Sequence, residues 1–145
     1  MHRALELAQE AARQGEVPVG AVVFDPETKT IIGEGCNQPI ANNDPTAHAE
    51  IVALRAAAQR LGNYRLTGLA IYVTLEPCAM CAGAISLARL GRLVFAASDP
   101  KGGGVLHGPR FFEQPTCHWR PEVIVDTQYA DTASRLLKSF FAARR

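Results

Sequence analysis

The sequence lacks long apolar runs: nowhere in its 145 residues do the roughly 18 apolar side chains of a membrane-spanning helix follow one another. It also lacks a surplus of charge. Fifteen Lys plus Arg stand against fourteen Asp plus Glu, a formal net charge of +1. That balance excludes a protein that coats nucleic acid or membranes through accumulated positive charge, although it is compatible with a local basic patch. Cysteine is sparse. Four cysteines, Cys36, Cys78, Cys81 and Cys117, are too few for the disulfide scaffold of a small secreted domain. The opening Met1-His2-Arg3-Ala4-Leu5-Glu6 is charged and helix-like, without the apolar stretch of a signal peptide. Repeats and low-complexity tracts are missing, and 48% hydrophobic with 20% charged residues excludes a disordered, collagenous or coiled-coil chain. The expectation is one globular domain over residues 1–145, cytoplasmic and with no membrane partner. In that setting a Cys-x-x-Cys pair reads as metal-binding or redox-active rather than structural.

Hydrophobic spacing orders the elements. Ala4, Leu5, Ala8, Ala11 and Ala12 recur at helical intervals from Met1 to about Gln14, before Gly15. Pro18 to Phe24 and Ile31 to Gly35 are β-rich and joined by Asp25-Pro26-Glu27-Thr28-Lys29, which predicts a hairpin. An Asn- and Pro-containing loop, Asn37 to Pro45, precedes a helix predicted from Thr46 to about Leu61, stopped at Gly62-Asn63. Leu69 to Leu75 and Leu93 to Ala97 read as strands buried on both faces. Between them a helix is expected from Pro77 through about Ala88. The loop Ser98 to Gly104, a short strand at Val123 to Val125 and a helix from Asp131 to Arg145 complete the chain. Strands alternating with helices predict an α/β layered domain.

Two short motifs carry the chemistry: His48-Ala49-Glu50, and Pro77-Cys78-Ala79-Met80-Cys81. Thiolate and imidazole are the ligands of tetrahedral zinc, and a catalytic site keeps one of four positions for water. His48, Cys78 and Cys81 supply three ligands with no obvious fourth. Cysteines in the first turn of a helix meet its positive end, which favours the thiolate, and their spacing puts them on one face. Glu50 is the candidate proton shuttle for a water activated at that metal. On an ideal helix, however, neighbours two apart point away from each other. Both side chains serve one site only if the helix begins there. The competing readings are a thioredoxin-like redox pair for the cysteines and a first-turn charge for Glu50. Cys36 and Cys117 read as ordinary small buried residues.

His-x-Glu followed by Pro-Cys-x-x-Cys is the signature of the zinc-dependent nucleobase deaminases. Beyond it, Glu16-Val17-Pro18-Val19-Gly20-Ala21-Val22, Gly35-Cys36-Asn37, Asp44-Pro45-Thr46-Ala47-His48-Ala49-Glu50-Ile51, Asn63-Tyr64-Arg65-Leu66 and Tyr72 through Ala84 extend the likeness over essentially the whole chain. The sequence resembles the bacterial tRNA adenosine deaminases of the cytidine/deoxycytidylate deaminase superfamily. The resemblance implies a three-layer α/β/α fold around a five-stranded mixed sheet, a homodimer, and one Zn2+ per subunit. It implies conversion of the wobble adenosine to inosine in the anticodon stem-loop of an arginine tRNA. Deamination of free guanine, cytosine or nucleosides on the same site is the alternative, and a zinc-stabilised module without catalysis is a third, which requires a fourth ligand.

By the same resemblance, Asn37 hydrogen-bonds the purine, and Val17, Pro18 and Ala47 wall the base pocket. Asp99 and Lys101 meet a sugar hydroxyl and a phosphate of flanking nucleotides. Their plainer readings are a turn residue, core packing and a solvated loop. Arg135, Lys138, Arg144 and Arg145 give the last helix a basic end suited to the anticodon stem. Phe140 and Phe141 are adjacent and do not both face inward, so one is free to stack on RNA. Residues Val105 to His118 depart from the pattern of some relatives, which leaves RNA contacts there unassigned.

Overall fold

The structure, a computed structural model, describes residues 1–145. The helices are α1 (His2–Arg13), α2 (Ala49–Leu61), α3 (Ala79–Leu87) and α4 (Ala130–Ala142). The strands are β1 (Gly20–Asp25), β2 (Thr30–Cys36), β3 (Ala70–Leu75), β4 (Arg92–Ala97) and β5 (Glu122–Val125). They form one five-stranded sheet in the order β2-β1-β3-β4-β5. β1 pairs antiparallel with both β2 and β3, whereas β3–β4 and β4–β5 are parallel. The sheet is therefore mixed. Helices α1 and α4 pack together on one face and α2 and α3 on the other, which makes the expected three-layer α/β/α arrangement.

The central strands explain why the sheet holds. Val23, Ile71, Val73, Leu93 and Phe95 are fully buried, and each such side chain contributes about 2 kcal/mol relative to exposure. Close helix-on-sheet packing is set by glycine in β2. A Cβ on Gly35 would stand 2.4 Å from the Ala49 carbonyl oxygen and 2.6 Å from the Ala53 nitrogen. The absent side chain lets the first turn of α2 rest directly on the sheet. No helix is long and apolar enough to cross a membrane.

Several boundaries differ from the sequence expectation. α2 starts at Ala49 rather than Thr46, because Asp44 Oδ1 accepts the Thr46 N–H at 2.8 Å and its hydroxyl at 2.7 Å, holding that stretch in a turn. α3 starts at Ala79 rather than Pro77, with Cys78 extended in front of it. α4 covers Ala130–Ala142, so Arg144 and Arg145 lie beyond its end. A single 3-10 turn at Phe111–Glu113 had no periodic signal.

Candidate metal centre and active site

Two helix N-termini build the centre. His48 is the N-cap of α2, with extended backbone (φ −69°, ψ 154°), and Cys78 is the N-cap of α3 (φ −71°, ψ 175°). Because His48 stands outside the helix while Glu50 lies in its first turn, the opposition expected of neighbours two apart does not arise. Cys81 is the third residue of α3, and a helix folds its N-cap side chain back toward that position. The two cysteines thus converge.

His48 Nδ1 lies 3.6 Å from Cys78 Sγ and 3.5 Å from Cys81 Sγ, and the three donor atoms all fall within 4.8 Å of one another. Tetrahedral zinc with ordinary Zn–S and Zn–N bonds separates an imidazole nitrogen from a thiolate sulfur by about 3.6 Å. The donor set fits zinc in both chemistry and spacing. The Cys81 thiol, followed by His48 and the Cys81 N–H, holds Cys78 down to about 4, so it is a ready thiolate. Cys81 is pushed up, chiefly by sharing a proton with Cys78 and by burial. His48 is raised by its bond to Cys78.

Glu50 is 4% exposed. Burial pushes its carboxyl up to about 7, against the opposing pull of its own N–H, His48 and the Cys81 thiol. A carboxyl that takes up and releases a proton near neutrality, beside three metal donors, is the constellation of a metal-assisted hydrolase.

A family profile for the cytidine and deoxycytidylate deaminase zinc-binding region matches residues 1–97, which include all four of these side chains. The chain belongs to the cytidine and deoxycytidylate deaminase family. Its cofactor is zinc. A tRNA-specific adenosine deaminase of Haemophilus influenzae is 50% identical over 145 residues, 100% of this chain and 83% of that protein. A solved structure from a study of A-to-I editing by tRNA:A34 deaminases at the wobble position is 47% identical, with a TM-score of 0.91 over 94% of this chain and 97% of that one. A guanine deaminase from Bacillus subtilis superposes with a TM-score of 0.65 at 34% identity, covering 99% of this chain and 90% of that one.

Around the deaminase centre the remaining sequence candidates take distinct places. Asn37 Oδ1 accepts the Ala49 N–H at 2.8 Å. It caps α2 from outside the helix, a task no local side chain performs. Pro18 and Ala47 are buried and Val17 half-buried. Val17 and Asp99 line one groove of about 310 Å³ together with Leu75, Lys138 and Phe141. Asp99 Oδ1 accepts the N–H groups of Lys101 (3.2 Å) and Gly102 (2.9 Å), so it shapes its own loop. Lys101 is exposed on that turn. Phe140 is 8% exposed and Phe141 49%, as adjacency on a helix requires, and the Arg144 guanidinium lies over the Phe140 ring. Cys117 packs against Ser86 and donates to the Trp119 carbonyl, and Cys36 is buried among Ala4, Leu7, Ala11 and Val22.

Sequence reasoning missed two buried carboxylates. Glu16 accepts the N–H groups of Ile40 (3.2 Å) and Ala41 (2.9 Å). Glu76, whose side chain is 0% exposed, accepts the N–H groups of Asp99, Val105, Leu106 and His107 and faces His107 Nδ1 at 2.8 Å. Burial works against the ionised form of Glu76, but His107 and those N–H groups outweigh it and hold the carboxyl below its ordinary range. For Glu76 the sequence signals the need but not the partners: an acidic residue just past an apolar strand is a buried charge that must be paired.

Proposed function

We propose that this chain, acting as one domain over residues 1–145, hydrolyses the wobble adenosine in the anticodon stem-loop of an arginine tRNA to inosine. The observation that carries the reading is the buried carboxyl of Glu50 beside the convergent donors of His48, Cys78 and Cys81. Its likeness at 47% identity to a tRNA:A34 deaminase supports the substrate. His48, Cys78 and Cys81 hold the zinc, which when bound supplies the Lewis acidity that lowers the pKa of water toward neutrality.

Deamination exchanges the C6 amino group for a water oxygen and releases ammonia. Water must lose protons while the ring nitrogen and the departing amine gain them, so one group has to accept and then donate. Glu50 is that group. Asn37 has committed its carbonyl oxygen to α2, which leaves its NH2 to donate to an acceptor on the purine edge. Val17, Pro18 and Ala47 wall the flipped base, and Asp99 and Lys101 meet the sugar and phosphate of its neighbours. Exposed Phe141 offers a stacking face.

The chain works as a homodimer in the cytoplasm. Leu87 and Tyr64 are 78% and 70% exposed beside an apolar groove between α2 and α3 that also includes Leu54, Ala58 and Ala84. An exposed face of this composition suits a second copy.

The deciding experiment incubates the zinc-loaded chain with the anticodon stem-loop and, separately, with guanine, cytosine and adenosine, and measures inosine and ammonia. Inosine from the stem-loop alone is expected. Ammonia from free guanine without inosine in RNA would overturn the reading in favour of the second one, a free-base deaminase, which the 34% identity to a guanine deaminase keeps in view.

A further inference from the structure

We propose that Glu76 is a positioning residue for RNA binding: its buried carboxylate fixes the 99–107 loop in the shape that receives the nucleotides flanking the target base. The inference rests on the proposed RNA substrate. It starts from a division of labour between the two carboxylate oxygens. Oε1 accepts the Asp99 N–H at 3.1 Å and faces His107 Nδ1 at 2.8 Å. Oε2 accepts the N–H groups of Val105, Leu106 and His107 at 3.2, 3.0 and 3.2 Å. Both ends of the loop are thereby tied to one side chain, Oε1 accepting at the Asp99 end and Oε2 at the 105–107 end.

The loop is shaped to fit. A Cβ on Gly103 would stand 2.3 Å from Glu76 Oε2, and one on Gly104 would stand 2.6 Å from the Ala79 nitrogen. Glycine at both positions lets the backbone close over the carboxylate and over the start of α3. Gly104 itself donates to the Pro77 carbonyl at 2.8 Å. Of the loop's proposed RNA-facing groups, Asp99 sits at one anchored end and Lys101 is carried between the two. Their own turn, closed by Asp99 Oδ1, is local and sets only its internal shape. Glu76 sets its placement on the sheet.

Glu76→Gln tests this because glutamine keeps one acceptor oxygen and replaces the other with an NH2 donor. The oxygen stays with the larger set of N–H groups at 105–107, and the NH2 confronts the Asp99 N–H. The Asp99 end is released and the far end is kept. With the zinc-loaded full chain and the arginine anticodon stem-loop, KM rises about tenfold, as expected for one charge-assisted bond lost next to a binding loop. kcat stays within about threefold, and zinc content stays at one per chain. Hydrogen exchange speeds up at the Asp99 amide and not in β3 or α3.

An unchanged KM overturns the proposal, and so does a fall in kcat with loss of zinc, which would make Glu76 a support of the metal centre instead. Should Glu76→Gln not fold, Gly103→Ala displaces the loop from the other side with Glu76 intact, and the same rise in KM at full zinc occupancy is required. A wild-type chain that leaves the stem-loop unmodified is a failure of the proposed substrate. The exchange pattern, read without RNA, still decides whether Glu76 holds the Asp99 end.

Discussion

The metal centre and the anchor of the 99–107 loop meet in the chain at Pro77, with Cys78 on one side and Glu76 on the other, yet they are marked very differently in the sequence. The centre draws its donors from the first residues of two helices, and although His48 lies 30 and 33 residues from Cys78 and Cys81, both halves carry a recognisable donor motif. The loop is held by Glu76, whose partners lie 23 to 31 residues away. One region is marked by donor residue types, the other by a buried carboxylate whose partners are mostly backbone N–H groups that no residue type marks. Chemistry that depends on ligand type survives in local motifs. The loop's placement depends on backbone partners that any residue type supplies.

The comparison breaks most visibly at the metal. Cys81→Ala removes a donor that is 0% exposed, and loss of both zinc and all measurable inosine formation is expected, checked by metal analysis and by assay on the stem-loop. If zinc and activity both persist, the three-donor centre is wrong. Glu50→Gln separates metal from proton transfer: zinc stays, and turnover falls by about 10³-fold, within the range of a lost general acid–base group. Undiminished turnover would sink the shuttle role.

Asn37→Ala acts on the frame of the centre rather than on its donors, since it removes a tertiary cap from the helix that presents Glu50. A loss of about 1 kcal/mol in unfolding free energy, read by denaturant titration, should accompany a rise in KM. A rise in KM at unchanged stability would show that the side chain serves only the substrate. The smallest expected effect is that of Lys101→Ala. Its side chain is exposed, so stability should not move, while the slope of log affinity against log salt for the stem-loop should fall by about 0.7, as for one contact to single-stranded phosphate. An unaltered slope would remove Lys101 from the interface.

Much of the fold was legible. The hairpin, the doubly buried strands and the order of helices follow from apolar spacing, and the structure places β3 and β4 in the sheet interior as their nearly continuous apolar runs require. Helix starts were less so. Thr46 and Pro77 are good formal openings, but the Asp44 turn delays one helix and Cys78 takes the N-cap of the other. That shift resolved the placement of Glu50 beside His48, which an ideal helix from Thr46 forbids. Asn37 was singled out for the purine, and its bond to Ala49 was not foreseen. Glu16 and Glu76 went unnoticed because a lone carboxylate in a sequence says nothing about which N–H groups it meets.

By itself the sequence determined the donor types, their spacing and the succession of strands and helices, because thiol and imidazole chemistry and apolar periodicity are local properties. The tertiary structure alone decided which group caps α2, how closely it rests on Gly35, and what holds the 99–107 loop. Each of these depends on a polar group, or a missing Cβ, meeting a counterpart distant in the chain. Burial forces every such group to have a partner, but only the folded chain says which one.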